Sequence, residues 1–136
     1  MYNTNVRREG WPMLLKIDMT SDIPIYQQIR NEIVFGVARG ELQAGDPLPT
    51  VRQLAGDLGV NPMTVNKAYA LLKDEGFVVI DRRHGAQIGG GSMTGNAFGP
   101  DFNRRAELLL SEARIKGASK LEIKNHLSKL IDKFYE

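Results

Sequence analysis

One stretch near the middle of the chain, TVRQLAGDLGVNPMTVNKAYALL (residues 50–72), constrains the fold more than any other. It encodes two short amphipathic helices divided by a turn that stops them running on as one. Thr50 is a cap residue and Gln53 follows three positions later, the spacing of a capping box. Val51, Leu54, Ala55 and Leu58 fall at i, i+3, i+4 and i+7, which makes one buried stripe. Gly59, Val60, Asn61 and Pro62 then break the helix and restart it. Asn61 is the new cap, and Pro62 occupies the first helical position, where a missing amide hydrogen costs nothing. The second helix buries Val65, Ala68, Tyr69 and Leu72 and runs to about Asp74 before Gly76 stops it. Two short helices joined in this way form a helix-turn-helix pair.

The flanking residues extend the pair into a domain. Leu14–Asp18 alternates like a short strand, and a helix begins at Pro24 with Ile25, Ile29, Ile33 and Val37 along one face, ending at Gly40. After the second helix of the pair, residues 77–80 favour β structure, as residues 86–88 do more weakly. Between them, DRRHG places Arg82, Arg83 and His84 at a hairpin tip. A hairpin tip needs turn formers and has no folding use for adjacent like charges. A helix-turn-helix followed by such a hairpin is a winged helix. The fold class expected is therefore mainly α with a small β hairpin. Residues 1–22 are an N-terminal extension with a short strand, and residues 23–89 are the winged helix-turn-helix.

Residues 90–100 read as a glycine-rich linker. Beyond it, a helix over about residues 103–116 aligns Ala106, Leu109, Leu110 and Ala113, and Gly117 closes it. Ser119 with Glu122 opens a second helix whose apolar line is Ile123, Leu127, Leu130, Ile131 and Phe134. Two helices with one apolar stripe each bury too little surface to stand alone in water. Residues 101–136 are thus expected to pack on the first domain or on a second copy of the chain, as a two-helix dimerisation tail.

Composition removes several classes of function. The 136-residue chain has no cysteine, which excludes disulfide scaffolding, redox CxxC pairs and cysteine nucleophiles. The N-terminal residues lack the apolar run of a signal peptide, and no stretch approaches the roughly 20 apolar residues that span a bilayer, so a cytoplasmic protein without membrane contact is expected. Carboxylates and two histidines are present, but none forms a nucleophile, metal or phosphate-loop arrangement; GGGSMTG lacks the lysine of a P-loop. Glu122 and His126 are four residues apart, too few groups for a metal site. Neither an enzyme nor a cofactor is expected. The formal charge of +2 is weak evidence for a polyanion partner, and acids and bases balance through the winged helix. Nucleic-acid binding must come from local placement.

That placement favours DNA. The major groove admits an α-helix and is read by side chains carrying donors and acceptors at fixed reach. Asn61, Thr64 and Asn66 supply these near the start of the second helix, whose N-terminal amides can also face a phosphate. Met63 either meets a thymine methyl or fills a surface groove. Lys67, Arg82 and Arg83 supply charge. Arg52 sits in the first turn of its helix, where a cation gains nothing from the helix dipole, so a bidentate guanine or phosphate contact explains it better than stability does.

The run LPTVRQLAGDLGVNPMTVNKAYALLKDEGFVVIDRRHG resembles the winged helix of the GntR family of bacterial repressors. PIYQQI ahead of it, NPMTVNKAYALL and the short two-helix tail look like the YtrA subfamily. The resemblance implies a homodimeric repressor on a palindromic double-stranded DNA operator, with Arg52 reading the DNA. It also implies contacts from Asn61, Met63, Thr64 and Asn66, and from the wing at His84 and Gly85. It further implies a compact regulator, often of transporter genes, whose tail dimerises through Ile123, Leu127, Leu130, Ile131 and Phe134. Any effector is then a small molecule at the tail or between the domains. The wing departs from the family pattern, reading RRHGAQIGG in place of an RGKGTFV-like strand. The alternative from a different class is a winged-helix adaptor that binds protein or RNA.

Overall fold

A computed structural model describes residues 3–89 and 97–135. The chain divides into two compact units, Met1–Ser92 and Met93–Glu136. Most of the segment read as a linker, residues 90–96, lies outside the described residues.

The first unit opens with an antiparallel hairpin of β1 (Asn3–Arg7) and β2 (Leu14–Asp18), in register from Asn3 opposite Asp18 to Arg7 opposite Leu14. β2 was expected and β1 was not. The hairpin places Val6, Trp11, Met13, Leu15 and Ile17 in the same hydrophobic core as the helices that follow. Helix α1 (Ile25–Ala38) packs on β2. Its cap is Pro24, one position earlier in the helix scheme than the sequence suggested, because Pro24 keeps an extended ψ of 146°. Ile29 and Ile33 are fully buried, while Ile25 and Val37 lie at the core's edge. Two further residues of this face escaped the apolar pattern. Gly36 is buried against Met13, whose sulfur would lie 2.7 Å from a Cβ at this position. Gln28 is buried because its amide is fully employed: Oε1 accepts from the Asp18 amide at 2.7 Å, and Nε2 donates to the Asp18 and Ile23 carbonyls at 2.8 Å. A buried amide so satisfied ties hairpin to helix without a desolvation penalty.

Helices α2 (Val51–Leu58) and α3 (Pro62–Asp74) form the expected pair. Thr50 and Gln53 make a reciprocal capping box, Gly59 takes the left-handed conformation at φ 71° to end α2, and Asn61 caps α3. Leu54, Ala55 and Leu58 meet Val65, Ala68, Tyr69 and Leu72 in the core. The wing follows as β3 (Val78–Asp81) and β4 (Gly85–Ile88), antiparallel, with Asp81 opposite Gly85. The other edge of β4 is engaged by the α1–α2 connection: Leu48 donates to the Ala86 carbonyl and Ile88 to that of Asp46, each at 2.9 Å. The wing is thereby fixed to the body of the unit.

The second unit consists of α4 (Pro100–Ile115) and α5 (Lys120–Ile131). α4 starts earlier than its apolar pattern does, because Gly99 and Pro100, read as linker, provide its cap and first residue. Ser119 and Glu122 complete a capping box on α5.

Candidate nucleic-acid interface

The pair and the wing are positioned by contacts that the apolar periodicity does not reveal. The Tyr69 hydroxyl, buried beneath α3, donates to the Pro49 carbonyl at 2.7 Å just ahead of α2; burial pushes its pKa well above the ordinary tyrosine value. Arg30 of α1 makes a bidentate pair with Glu75 at the end of α3, both bonds 2.8 Å, and its guanidinium lies 5.6 Å from the Phe77 ring centre. This fork fixes the C-terminal end of α3 against α1. Lys67 of α3 lies with its ammonium 4.1 Å from the Tyr26 ring centre, so it too is drawn toward α1.

Ion pairs distinguish the charged residues of this unit that are engaged within the fold from those that are not. Asp57 is engaged by Arg8 at 2.8 Å, Glu75 by Arg30, and Asp81 by His84 at 2.9 Å. Arg52, Lys73, Arg82 and Arg83 are exposed and have no acidic partner among the described residues. These acids are neutralised within the fold, and these cations are not.

The wing tip is built by Asp81. One carboxylate oxygen accepts the Arg83 amide at 2.8 Å and the other lies 2.9 Å from His84 Nδ1. The His84 bond, followed by the Arg83 amide, holds the Asp81 carboxyl below its ordinary value. Gly85, at φ 72°, turns the chain back into β4. The turn leaves the Arg82 and Arg83 side chains exposed, without an acidic partner among the described residues, and commits one ring nitrogen of His84.

At the start of α3 the structure corrects one expectation. The first amides cannot receive a phosphate: Pro62 has none, Met63 donates to Asn61 Oδ1 at 2.8 Å, and Thr64 donates to the Asn61 carbonyl at 2.9 Å. The cap that makes this helix begin also closes its anion site. Asn61 keeps its side-chain NH2 for an outside acceptor. Met63 is 78% exposed, so it fills no groove of its own unit. Asn66 and Arg52 are exposed, and Thr64 is half-buried. Among the described residues no group of three or more metal-binding side chains comes together, and no helix is long and apolar enough to cross a membrane.

Residues 25–88, which hold this arrangement, match the bacterial regulatory proteins of the gntR family. The HTH-type transcriptional regulator Rv1152 of Mycobacterium tuberculosis is 33% identical over 118 residues, 87% of this chain and 94% of the relative. The chain belongs to the GntR family. A GntR protein so built is a DNA-binding transcriptional regulator acting through its helix-turn-helix, and not an enzyme. The HTH-type transcriptional repressor YtrA of Bacillus subtilis is 38% identical over 81 residues, 60% of this chain and 62% of the repressor. A solved structure described as a transcriptional antiterminator from Listeria monocytogenes EGD-e superposes with a TM-score of 0.76 at 26% identity, covering 92% of this GntR chain and 96% of the other.

Proposed function

We propose that this GntR protein is a YtrA-like repressor that binds a palindromic operator as a homodimer. The observation that carries the reading is the set of exposed side chains on the helix-turn-helix and wing: Arg52, Met63 and Asn66 on the helices, and Arg82 and Arg83 at the tip. Arg52 supplies a planar fork suited to a guanine edge, Asn61 and Asn66 supply amides, and the wing arginines hold phosphates. Lys67, His84 and Gly85 complete the contact surface, with Lys67 leaving the Tyr26 ring to reach the backbone. The likeness to the repressor YtrA supports the mode of action.

The second unit supports the dimer. Neither α4 nor α5 has a buried residue among those described. Leu109, Leu110, Ala113, Ile123, Leu127 and Leu130 line an open groove of about 600 Å³. Ile131, the last residue of α5, and Phe134, which lies in the turn beyond it and not on the helix as the sequence suggested, are 53% and 36% exposed. A second copy covers such a surface with an identical one, and a two-fold dimer matches a two-fold operator.

Selection of bound sites from random DNA, with sedimentation equilibrium of the full chain, tests both parts. The expected results are an inverted-repeat site and twice the chain mass at micromolar concentration. Preferential binding of structured RNA, the comparison suggested by the Listeria protein's description, or a monomer bound to a single half-site, would overturn the reading.

A further inference from the structure

We infer that Met63 and Asn66 form an A·T-reading pair, in which Met63 packs on the C5 methyl of a thymine and Asn66 bonds to an adenine at the same or the neighbouring base pair. The inference rests on the DNA-binding reading and adds the bases that this part of the surface selects.

Three observations lead to it. Met63 and Asn66 are three residues apart on α3, so their side chains are neighbours on one helix face, about 5–6 Å apart at Cβ. That separation is within reach of adjacent base pairs, which stack at about 3.4 Å. Met63 is 78% exposed at the second position of α3, where it adds no packing inside its own unit and stands beside Asn66 on the face that the DNA-binding reading turns to the groove. A flexible, polarisable thioether suits an apolar partner of variable position, and the thymine methyl is the apolar group that the major groove displays. Lastly, the closure of the first amides by Asn61 removes the end of α3 as a phosphate anchor. This end is left to approach base edges with side chains.

The chemistry of the exposed face points the same way. The first two turns of α3 carry no arginine and no acid, so they lack the planar fork that reads guanine and the acceptor for cytosine's amino group, and their one cation, Lys67, is drawn over the Tyr26 ring toward α1. What they do carry is an amide, suited to adenine N6 and N7, and a methyl-seeking side chain. Guanine reading then falls to Arg52 on α2.

The test is a thymine-to-deoxyuridine scan of the selected operator, which deletes one methyl at a time without changing base pairing. Full-length protein, Met63→Ala and Met63→Leu are compared on each duplex. One thymine per half-site is expected to lose about three- to fourfold in affinity for the parent protein when its methyl is removed, the worth of one methyl taken out of water. Met63→Ala loses that sensitivity and Met63→Leu, still apolar, retains it. Asn66→Ala binds the operator about tenfold or more weakly, and that loss shrinks when the adenine it reads is replaced. Because Met63 is exposed, folding is unaffected in all variants and is checked by thermal melting. Specific binding with no methyl sensitivity at any position overturns the inference and leaves the DNA-binding reading standing. Equal methyl sensitivity in Met63→Ala and the parent assigns the methyl to another residue and overturns it as well. Absence of any selected site fails the underlying reading, and the inference with it.

Discussion

In Met1–Ser92, Leu15, Ile29, Ile33, Leu54, Val65 and Leu72 retain essentially no exposed surface, whereas Leu109, Ile115 and Leu121 of the second unit are each about two-thirds exposed or more. Helix quality does not explain the difference. α2 and α5 both begin with a complete capping box, and α3 and α4 both carry proline in the first turn. Local signals therefore make helices equally well in both units. What the first has and the second lacks is another layer: the hairpin β1–β2, α1 and the wing close over the apolar faces of α2 and α3. The second unit is locally complete and has no buried helical residue among those described, which fits the dimer interface proposed above.

The largest expected effect is on that interface. Replacing Leu127 and Leu130 together by aspartate places two charges in the groove. The protein becomes monomeric by sedimentation, and operator affinity falls by about two orders of magnitude or more, since each half-site is then held by a single winged helix. The melting midpoint of the first unit should not follow. If it drops with dimerisation, the two units are not independent in the way their interiors suggest.

The same chemical change made in each unit sharpens the contrast. Leu54→Ala empties a fully buried position and costs about 2–5 kcal/mol of stability, measured by urea unfolding. Leu121→Ala, at a position 66% exposed, changes the stability of the chain by less than about 0.5 kcal/mol. Arg52→Ala belongs with the second in stability and with neither in function. It leaves folding intact but removes about 1–3 kcal/mol of discrimination between operator and scrambled DNA. An unchanged operator-to-scrambled ratio would reduce Arg52 to a backbone contact.

What could be read in the sequence follows the same division between local and non-local causes. The caps at Thr50, Asn61 and Ser119, the break at Gly59, and the stripes of α2 and α3 depend on residues within a few positions of one another and were legible, whereas the line of α5 was read through Phe134, beyond the helix end at Ile131. β1 was not. In NTNVR only Thr4 and Val6 favour a strand; the strand exists because β2 offers it a partner and because Trp11 and Met13, at the bend, are buried with it. Gln28 and Gly36 were passed over because a polar side chain and a glycine break an apolar pattern, yet one is satisfied by Asp18 and Ile23 and the other admits Met13. On the helix-turn-helix, residue types marked Arg52, Met63 and Asn66 as candidates, and all three are exposed. The Tyr26–Lys67 contact and the Arg30–Glu75 fork join residues some 40 positions apart and left no trace in local spacing. The closure of the α3 amides was implicit in Asn61 and Pro62, because a cap side chain and a free amide cannot both occupy that end.

A smaller effect separates the wing from the helices. Arg82→Ala and Arg83→Ala each remove one unpaired cation, so operator and scrambled duplex should weaken alike. The slope of log affinity against log salt should fall by about 0.9 for each phosphate no longer neutralised. Affinities across a salt series give the slope directly. A selective weakening on the operator alone would move the arginine concerned from the phosphates to the bases.

The smallest effect asks whether local order is as good in the second unit as in the first. Asp81 at the wing tip and Glu122 at the start of α5 are exposed carboxylates held below their ordinary values by hydrogen bonds, from His84 and the Arg83 amide in one case and from Ser119 in the other. A carboxylate lowered by folding stabilises the fold when pH is above its unfolded value, 3.8 for Asp81 and 4.5 for Glu122, and that contribution is lost as pH falls through the lowered value. Both turns should therefore stay intact from neutral pH down to the ordinary carboxylate range and loosen only in stronger acid. NMR titration of the two carboxyl carbons should give midpoints below 3.8 and 4.5, with His84→Ala raising the first and Ser119→Ala the second. If Glu122 titrates at its ordinary value while Asp81 does not, the box on α5 is not formed in solution, and the second unit lacks local order as well as a core. Its pairing with a second copy would then include folding of the helix itself, and the tail variants should lose helical circular dichroism along with the dimer.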